Sequence, residues 1–345
     1  MMMDCLRSLL YRLPPERAHD LTIHALSYGW APNYAEDHVA LQQTIMGLSF
    51  PHPVGMSAGF DKDGKAVHAL AKMGFSFIEV GTVTPLPQPG NSRPRLFRYP
   101  DNEAIINRMG FNNDGVMAMV KRLSNRPDNV IIGVNIGKNK DTPQQEAIAD
   151  YRFCYRVIHP YADYVTINIS SPNTTGLRDL QSAAYLRPLF SALKEDQYKH
   201  QQQQGRYVPL AVKIAPDLTS EQVVEIAQLV TAYNVDTVIS NNTSIIRPDY
   251  LPYTAKKQQG GLSGKPIYEA SNTVLQLLYE QLQGRVPIIA SGGIYDKDAA
   301  LQKMMLGANL IQLYTGFVYK GPRLISDILQ TLRAEAPLLN DRETS

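Results

Sequence analysis

A regular alternation of short apolar runs and longer helical segments constrains the fold of this chain more than any other feature. The apolar runs have about four to seven residues, a length typical of strands, and the alternation begins at Pro53. Runs that are apolar throughout are typical of parallel strands covered on both faces. Eight strand–helix units in about 280 residues are what a (β/α)8 barrel requires. We therefore predict this TIM-barrel fold, with strands at residues 54–58, 77–83, 130–136, 164–169, 210–215, 237–240, 287–290 and 310–314.

A doubly wound sheet is the main alternative, because it also alternates strands and helices. Such a sheet seldom needs eight units, and it favours a glycine-rich first turn. The chain contains neither GxGxxG nor GxxxxGK[ST], so the Rossmann and P-loop folds lose support.

Helix starts support the alternation. Capping boxes are predicted at Thr142-Pro-Gln-Gln145 and Thr219-Ser-Glu-Gln222, and Asp296 is predicted to cap the helix that ends before Gly307. Buried stripes are predicted for the first two of these helices at Ala147, Tyr151, Cys154, Tyr155 and Ile158, and at Val223, Ile226, Ala227 and Val230.

Charge and cysteine content exclude several classes of protein. Lys plus Arg number 34 against 32 acidic residues, which leaves no electrostatic footprint for nucleic acid. Cys5 and Cys154 lie far apart, so we predict no disulfide scaffold, zinc site or Cys-ligated iron–sulfur cluster. No run approaches the ~20 apolar residues of a membrane-spanning helix, and we expect a protein that is not integral to a membrane.

Domain organisation is predicted as a helical extension over residues 1–32, a barrel over 33–336 and a disordered tail over 337–345. Pro14-Pro15 separates two amphipathic helices in the extension, and Trp30 closes the second. Ala18, Leu21, Thr22, Ala25 and Leu26 form its apolar stripe. Such a pair either lies in a membrane interface or packs on its own domain. The balanced charges nearby favour packing.

Two long excursions interrupt the alternation, at residues 85–111 and 243–264. Both follow predicted strands and are too long for plain strand-to-helix loops. Long excursions at this end of a barrel usually cover the site, so we predict that these two form its lid.

Polar residues follow the predicted strands, and the carboxyl ends of barrel strands meet on one face. The densest group is Asn168-Ile-Ser-Ser-Pro-Asn173-Thr-Thr-Gly-Leu-Arg178. Lys213 lies inside an apolar strand, where an unpaired ammonium is costly, so a ligand or partner must meet it. Gly292 and Gly293 follow strand seven, where barrels commonly bind phosphate.

These features together indicate a planar, phosphorylated cofactor such as flavin mononucleotide (FMN). Lys213 would lie near the N1/O2 edge, where negative charge develops on reduction. A Schiff-base aldolase with Lys213 as nucleophile is a rival, and a pyridoxal phosphate enzyme is another. Neither obviously needs the amides of Asn135, Asn168 and Asn242 together.

Seven blocks, in order along the chain, carry a resemblance to a known family: AGFDKDG at 58–64, EVGTVTPLPQPGN at 79–91, PRLFR at 94–98, NRMGFNN at 107–113, NIGKNKDT at 135–142, NISSPNTTGLR at 168–178 and GGLSGKP at 260–266. The chain resembles the dihydroorotate dehydrogenases, in particular their class 2, quinone-linked branch. The resemblance runs from Pro15-Glu-Arg-Ala-His19 to about Leu332.

The resemblance implies three sets of site residues. One FMN per chain would be held by Ala58, Gly59, Phe60, Asp61, Lys62, Thr82, Asn135, Asn168, Lys213, Asn241, Gly264, Gly293, Tyr314 and Thr315. Dihydroorotate would contact Lys62, Asn107, Arg108, Met109, Gly110, Phe111, Asn168, Asn173, Asn242 and Thr243. The quinone path would pass His19, Arg98 and Tyr314.

The implied reaction oxidises dihydroorotate to orotate in pyrimidine synthesis, with FMN as hydride acceptor and a membrane quinone as final acceptor. Ser171 falls on the family's catalytic base, and a water path shaped by Thr174 and Phe111 would remove the proton. Class 1 relatives use cysteine as base, and one subclass has an iron–sulfur partner. Ser171 therefore implies class 2 without such a subunit.

The same resemblance assigns the N-terminal extension to the mouth of a quinone tunnel, which reverses the preference for simple packing. It implies peripheral attachment to a bacterial inner membrane on the cytoplasmic side, since no organellar transit sequence is evident. Asn241 departs from the family pattern, in which many relatives have threonine. A backbone contact to the flavin would survive that change, whereas a hydroxyl contact would not.

Two other functions remain open from the sequence. One is a different FMN barrel reductase that acts on a reduced pyrimidine. The other is a membrane-associated binding barrel that has lost catalysis and would be colourless when purified.

Overall fold

The computed structural model describes residues 10–34, 39–174 and 176–337. Eight parallel strands close into a barrel, each paired with the next barrel strand along the chain, which confirms the predicted fold. Each lies within two residues of a predicted strand. Their bounds are β3 Val54–Met56, β4 Phe77–Val83, β7 Ile131–Ile136, β8 Tyr164–Asn168, β9 Leu210–Ile214, β10 Thr237–Ser240, β12 Ile288–Ser291 and β13 Leu310–Leu313.

Helices follow the strands and cover the outside of the barrel. The helices of the described residues are α1 Pro15–Ser27, α2 Val67–Lys72, α3 Val116–Leu123, α4 Ala147–Ile158, α5 Ala183–Gln204, α6 Ser220–Ala232, α7 Tyr253–Lys256, α8 Tyr268–Leu282, α9 Lys297–Met305, α10 Thr315–Lys320 and α11 Arg323–Ala334. The predicted stripes of α4 and α6 are buried.

Two of the three predicted helix caps are confirmed. Thr219 forms a complete capping box with Gln222, and the Asp296 carboxylate accepts from the N–H of Ala299 at 2.8 Å. The capping box at Thr142 is wrong. Its hydroxyl donates to Asp150 Oδ2 at 2.7 Å, and a 3₁₀ turn precedes α4. A nearby carboxylate is the stronger acceptor for this hydroxyl, so the side chain turns away from the helix start.

The inside of the barrel consists of two layers of different chemistry. Side chains two residues apart on a strand point to the same side. The apolar layer comprises Phe77, Tyr164, Ala211, Ile239, Ile289 and Leu310. The polar layer lies two residues further along the chain from the apolar layer. It also includes one residue directly after β3 and one residue of β7. Its members are Ser57, Glu79, Asn135, Thr166, Lys213, Asn241, Ser291 and Gln312. The sequence had suggested strands that are apolar throughout. The structure instead shows that each of these strands carries or leads into a polar residue.

Glycines make room for the two large rings of the apolar layer. A Cβ on Gly55 would lie 2.4 Å from the ring of Phe77, and one on Gly133 would lie 2.1 Å from the ring of Tyr164. A hairpin of β1 Gln43–Ile45 and β2 Leu48–Phe50 packs against this layer. Its Phe50 meets Phe77 edge-on at 5.4 Å. The amino end of the barrel is thus filled by apolar contacts.

The two long excursions combine into one lid at the other end. The first forms β5 Leu96–Tyr99 and β6 Ala104–Asn107, and the second contributes α7 and β11 Gly261–Gly264. These strands form an antiparallel sheet in the order β11–β6–β5. Under the sheet lies a small apolar cluster that includes Ile106, Leu251 and Leu262. The predicted excursions therefore form a single covering unit.

The N-terminal helix α1 packs on α2 and β5 through Ala18 and Leu26. Leu21, predicted on the same apolar stripe, is instead 52% exposed, and Trp30 is 78% exposed. The first predicted helix and the predicted tail lie mostly outside the described residues. Within the described ranges, no helix has both the length and the hydropathy needed to cross a membrane.

Candidate active site

A cavity lies between the carboxyl ends of the strands and the lid. Five of the eight barrel strands contribute a residue near their carboxyl ends to its wall, and Ser57 and Asn241 directly follow two others, β3 and β10. The predicted residues on the wall are Ala58, Gly59, Lys62, Thr82, Asn107, Met109, Gly110, Phe111, Asn168, Ser171, Asn173, Lys213, Asn241, Asn242, Thr243, Gly264, Gly293, Tyr314 and Thr315. The structure therefore brings most of the predicted cofactor and substrate residues together.

Four predicted contact residues lie off the wall and support it. Phe60 packs edge-on against Tyr314 at 6.1 Å. Asp61 accepts from the N–H groups of Lys65 and Ala66 at 2.9 and 2.7 Å, which holds the turn after β3. Arg108 is the third, and its guanidinium donates to Gln258 Oε1 at 2.8 Å within the lid. The fourth, Asn135, lies beneath the wall.

Three side-chain amides form a hydrogen-bonded series beneath and along the wall. Asn168 donates from Nδ2 to Asn135 Oδ1 at 3.0 Å, and Asn242 donates from Nδ2 to Asn168 Oδ1 at 3.3 Å. Thr82 also donates to Asn135 Oδ1, at 2.5 Å. Asn135 in turn donates to Glu79 Oε1 at 2.9 Å. The series connects β4, β7, β8 and the loop after β10.

Lys213 and Glu79 form an ion pair at the floor of the cavity. The Lys213 Nζ lies 3.7 Å from Glu79 Oε1 and donates to Ser57 Oγ at 3.1 Å. Both residues are buried. Burial lowers the pKa of Lys213, and the neighbouring Glu79 carboxylate partly opposes this effect. The sequence requirement for a partner of Lys213 is thus met by Glu79.

Lys62 faces the cavity without a carboxylate partner. Asp63 pairs with Lys65 at 3.1 Å, and Asp61 holds the turn, so the simple ion pair considered from sequence does not form. Burial, as the largest cause, lowers the pKa of Lys62. Among the described residues, the Lys62 ammonium has no hydrogen-bond acceptor. It is a half-buried cation at the cavity wall, suited to an anionic ligand.

The loop after β8 presents Ser171, which is buried on the wall of the cavity. The N–H of Asn173 donates to Ser171 Oγ at 3.3 Å. Asn173 also donates from Nδ2 to Asn107 Oδ1 of the lid strand β6 at 3.2 Å. Arg178 anchors the far end of the loop, donating to Thr243 O at 2.8 Å. The serine loop is therefore tied to both the lid and the loop after β10.

The residues predicted for the quinone path divide into two places. His19 of α1 packs edge-on against Phe60 at 5.5 Å, and Phe60 contacts Tyr314 on the cavity wall. Burial, with Lys62 nearby, lowers the pKa of His19 to about 3, so its imidazole is neutral. Arg98 lies elsewhere. It stacks 5.0 Å over the ring of Tyr11 and donates to the carbonyl of Leu13 at 2.6 Å.

Sequence reasoning missed several residues of the site. Glu79 and Gln312 are polar residues within apolar strands, the same signal that drew attention to Lys213, and it could have found them. The other cavity residues that were not predicted are Ser57, Ser263, Ile267, Ser291 and Ile294. Small residues at strand ends are common turns, so no local signal distinguishes them.

Fold and cavity define an enzyme of the (β/α)8-barrel class with a buried, polar site at the carboxyl ends of the strands. A family model described as dihydroorotate dehydrogenase matches residues 40–335. The chain is 47% identical to the dihydroorotate dehydrogenase (quinone) of Marinobacter nauticus, over 97% of this chain and 99% of that one. It is 48% identical to the corresponding protein of Idiomarina loihiensis, over 96% and 100%.

Solved structures agree with the sequence comparisons. The ferulenol complex of DHODH from Eimeria tenella superposes with a TM-score of 0.89 at 37% identity, covering 96% of this chain and 97% of that one. A ligand-free form from the same organism has a TM-score of 0.88 at 39% identity, covering 94% and 95%. The chain belongs to the dihydroorotate dehydrogenase family, and it is an oxidoreductase.

Proposed function

We propose that this protein oxidises dihydroorotate to orotate, with bound FMN as the first electron acceptor and a membrane quinone as the second. Relatives that match nearly the whole chain carry the name dihydroorotate dehydrogenase (quinone). The observation that carries the proposal is the composition of one cavity. Ser171, the unpaired cation of Lys62 and the amides of Asn107, Asn173 and Asn242 line it together.

The cavity fits FMN because it has polar atoms that the described chain leaves without partners. Both the Nδ2 and Oδ1 atoms of Asn241 are buried and unpaired, and so is Oε1 of Gln312. The N–H groups of Gly292 and Gly293 also have no acceptor among the described residues. A planar ring with N–H and C=O groups along its edge, joined to a phosphate, satisfies such a set. This pattern supports a side-chain role for Asn241.

Each side of the cavity would have its own task toward the cofactor. Lys213 would face the ring edge where negative charge develops, and the glycines after β12 would receive the phosphate. The residues proposed to hold FMN are Ala58, Gly59, Lys62, Thr82, Asn168, Lys213, Asn241, Gly264, Gly293, Tyr314 and Thr315. When bound, FMN would supply a hydride acceptor that passes the electrons on to the quinone.

Dihydroorotate offers a carboxylate and the donor and acceptor groups of a cyclic imide. The ammonium of Lys62 on the cavity wall suits the carboxylate, because a charge-assisted bond is stronger than a neutral one. The asparagine amides each present one donor end and one acceptor end, which match the ring N–H and C=O groups. Asn173 and Asn107 are already joined across the lid, so a bound substrate would be enclosed.

Ser171 is proposed as the base that takes the proton from carbon 5 of the substrate. Its Oγ accepts from the Asn173 N–H, which fixes the direction of its lone pairs. Serine is a weak base, and no histidine or aspartate is described in hydrogen-bond contact with it. We infer that water receives the proton, along a path bordered by Thr174 and Phe111.

Electrons are proposed to leave toward α1. His19, Phe60 and Tyr314 form a continuous aromatic contact from this helix to the cavity wall. The exposed side chains of Leu21, Tyr28 and Trp30 give α1 and its end an apolar surface suited to a membrane interface. We propose that residues 1–32 attach the enzyme peripherally to a bacterial inner membrane from the cytoplasmic side.

An absorption spectrum followed by anaerobic addition of dihydroorotate tests the reaction. The purified protein should be yellow, and dihydroorotate should bleach the flavin band, whereas dihydrouracil should not. Bleaching by dihydrouracil alone would favour a different pyrimidine reductase. A colourless protein that fails to bind added FMN would contradict the proposal.

Deletion of residues 1–30 tests the route to the quinone. Flavin reduction by dihydroorotate should be unchanged, while turnover with quinone and binding to liposomes should fall. The matched control is the double variant Leu21→Ala and Trp30→Ala, which removes apolar surface but keeps the helix. It should lose liposome binding and retain turnover with a soluble short-chain quinone. Equal quinone kinetics in the truncated and full-length proteins would disprove this route.

A further inference from the structure

Glu79 is a fully buried carboxylate that the proposed reaction does not use. It lies in the middle of β4, in the polar layer beneath the cavity. Four neutral donors reach it, from Asn135 at 2.9 Å, Tyr164 and Thr166 at 3.1 Å each, and Gln312 at 2.8 Å. The Lys213 ammonium completes the set. Because every neighbour donates, the carboxyl is an acceptor-only anion.

The anion determines the direction of the amide series above it. An amide side chain has one donor end and one acceptor end. Since Asn135 must turn its Nδ2 toward Glu79, its Oδ1 accepts from Asn168. Asn168 then presents its own Oδ1 to Asn242 at 3.3 Å. One buried charge thus starts a series of three amides, whose direction the backbone N–H groups of Ser170 and Thr243 also support by donating to Oδ1 of Asn168 and Asn242. The last two amides line the cavity.

Gln312 is oriented by the same carboxylate. Its Nε2 donates to Glu79 Oε2, so its Oε1 has to point elsewhere. That oxygen is buried and unpaired, and Gln312 lines the cavity. The side chain therefore offers an acceptor to an N–H group of a ligand. A glutamine at position 79 could donate to Oε1 of a flipped Gln312. Nε2 of Gln312 would then face the cavity as a donor in place of the acceptor.

Glu79 also supplies the only carboxylate within ion-pair distance of Lys213 among the described residues. Two opposite charges at this distance attract more strongly in a buried site than they do in water. This attraction opposes the burial that disfavours the charged form of Lys213.

We propose that Glu79 is a positioning residue whose carboxylate keeps Lys213 charged and fixes which end of each amide faces the cavity. The consequence for the flavin rests on the proposed function, whereas the consequence for Lys213 does not. When FMN is bound as proposed, a charged Lys213 would stabilise its reduced form, and the fixed amides would favour a ligand that presents an N–H group to Gln312.

The first test uses the FMN-free protein with ¹³C-labelled lysine, followed by NMR as a function of pH. The Lys213 signal is assigned by its loss in Lys213→Arg. In Glu79→Gln, which preserves size and removes the charge, the pKa of Lys213 should fall. In Glu79→Asp, which keeps the charge, it should recover at least partly. An unchanged pKa in Glu79→Gln would overturn the proposal.

The second test measures FMN affinity and the flavin midpoint potential. The dissociation constant for FMN should rise about tenfold in Glu79→Gln, as expected when a ligand loses a correctly oriented hydrogen-bond partner. The midpoint potential should become more negative, because a neutral Lys213 no longer stabilises the reduced flavin. A shift to more positive potential would show that Lys213 stays charged without Glu79, and would overturn the proposal.

Asp196→Asn is the matched control. Asp196 is another buried carboxylate, paired with Arg152 at 2.7 Å and Arg156 at 2.8 Å between α4 and α5, away from the cavity. Its variant should lose stability and leave both the Lys213 pKa and the flavin potential unchanged. Equal shifts in the two variants would mean that they report general loosening, against the proposal. If the wild-type protein binds no FMN, the proposed function fails, and the Lys213 titration still decides the role of Glu79.

Discussion

The apolar layer and the polar layer of the barrel differ in chemistry although they lie only two residues apart on the same strands. In β4, Phe77 packs against Phe50 in a dry contact, and Glu79 accepts four hydrogen bonds and pairs with Lys213. In β13, Leu310 belongs to the apolar layer, and Gln312 lines the cavity.

The difference shows that the apolar layer contributes mainly to stability and the polar layer mainly to the ligand site. Burial of a large apolar side chain stabilises a fold by about 1.5–3 kcal/mol. Buried polar atoms without partners cost about 1–3 kcal/mol each. Asn241 and Gln312 carry such atoms on the cavity wall. Apolar burial in the amino half of the barrel thus offsets the free-energy cost of the unpaired polar atoms in the carboxyl half, where the ligand site lies.

The largest effect is expected from Ser171→Ala in the loop above the polar layer. Loss of a positioned general base typically lowers a rate by about 10²–10⁴-fold. Stopped-flow measurement of flavin reduction by dihydroorotate should show this loss, with FMN still bound and the melting temperature unchanged. A bleaching rate equal to that of the wild type would remove Ser171 from the role of base.

Phe77→Ala should have the opposite signature. Truncation of a buried phenylalanine costs about 3–5 kcal/mol, because it leaves a cavity that the surrounding structure fills only partly. Denaturant unfolding should show a lower free energy of unfolding, with unchanged FMN affinity for the folded fraction. Leu21→Ala on the exposed face of α1 is the control and should change stability by less than about 0.5 kcal/mol. Similar losses in both variants would contradict the layered arrangement.

Removal of FMN should destabilise the polar layer alone. A ligand present at about 100 times its dissociation constant stabilises the folded state by about 2.7 kcal/mol. Thermal melting with and without added FMN should show this difference. Hydrogen exchange should become faster at the backbone around Asn241 and Gly293 and stay slow at Phe77. Uniformly faster exchange would mean that the two layers respond to the cofactor as one unit.

The smallest effect is expected at His159, whose unpaired atoms no ligand would satisfy. Both ring nitrogens are buried and have no hydrogen-bond partner among the described residues, and the ring stacks on His200 at 4.2 Å. Burial, together with His200 and Arg206, lowers the pKa of His159 to about 4. The unfolded chain has a pKa near 6.5, so it binds the proton first as the pH falls.

Stability from the neutral His159 is therefore complete above about pH 6.5 and is lost as the pH falls toward about 4. The melting temperature of the wild type should drop by a few degrees in this interval. His159→Phe should remove part of that drop, and the difference between the two curves isolates this residue. Parallel curves for wild type and variant would assign the drop to other groups.

Much of the barrel could be predicted from the sequence, because each strand is an apolar run of the right length between helical segments. The predicted strand at 77–83 coincides with β4, and that at 237–240 coincides with β10. The grouping of polar residues after the barrel strands could also be predicted, since the carboxyl ends of the parallel strands meet on one face. The lid sheet could not be predicted in detail. Its strands pair across long stretches of chain, as Asn107 does with Gly261.

Local signals also failed where a distant partner was stronger. Thr142 has the sequence of a helix cap, but the Asp150 carboxylate accepts its hydroxyl proton. Leu21 has the spacing of a buried residue, yet α1 covers the barrel with a narrower face. The partner of Lys213 was required by the sequence but not identified, because Glu79 lies on a strand far along the chain.

The sequence by itself determined the number and order of the eight barrel strands, and their ends to within two residues, since these depend on composition and period within short segments. Tertiary structure alone decided which inward residues fill an apolar layer and which form a charged floor. It also decided the direction of each amide. These properties depend on which strands become neighbours, and a carboxylate can orient only the donors that closure of the barrel brings within hydrogen-bond distance.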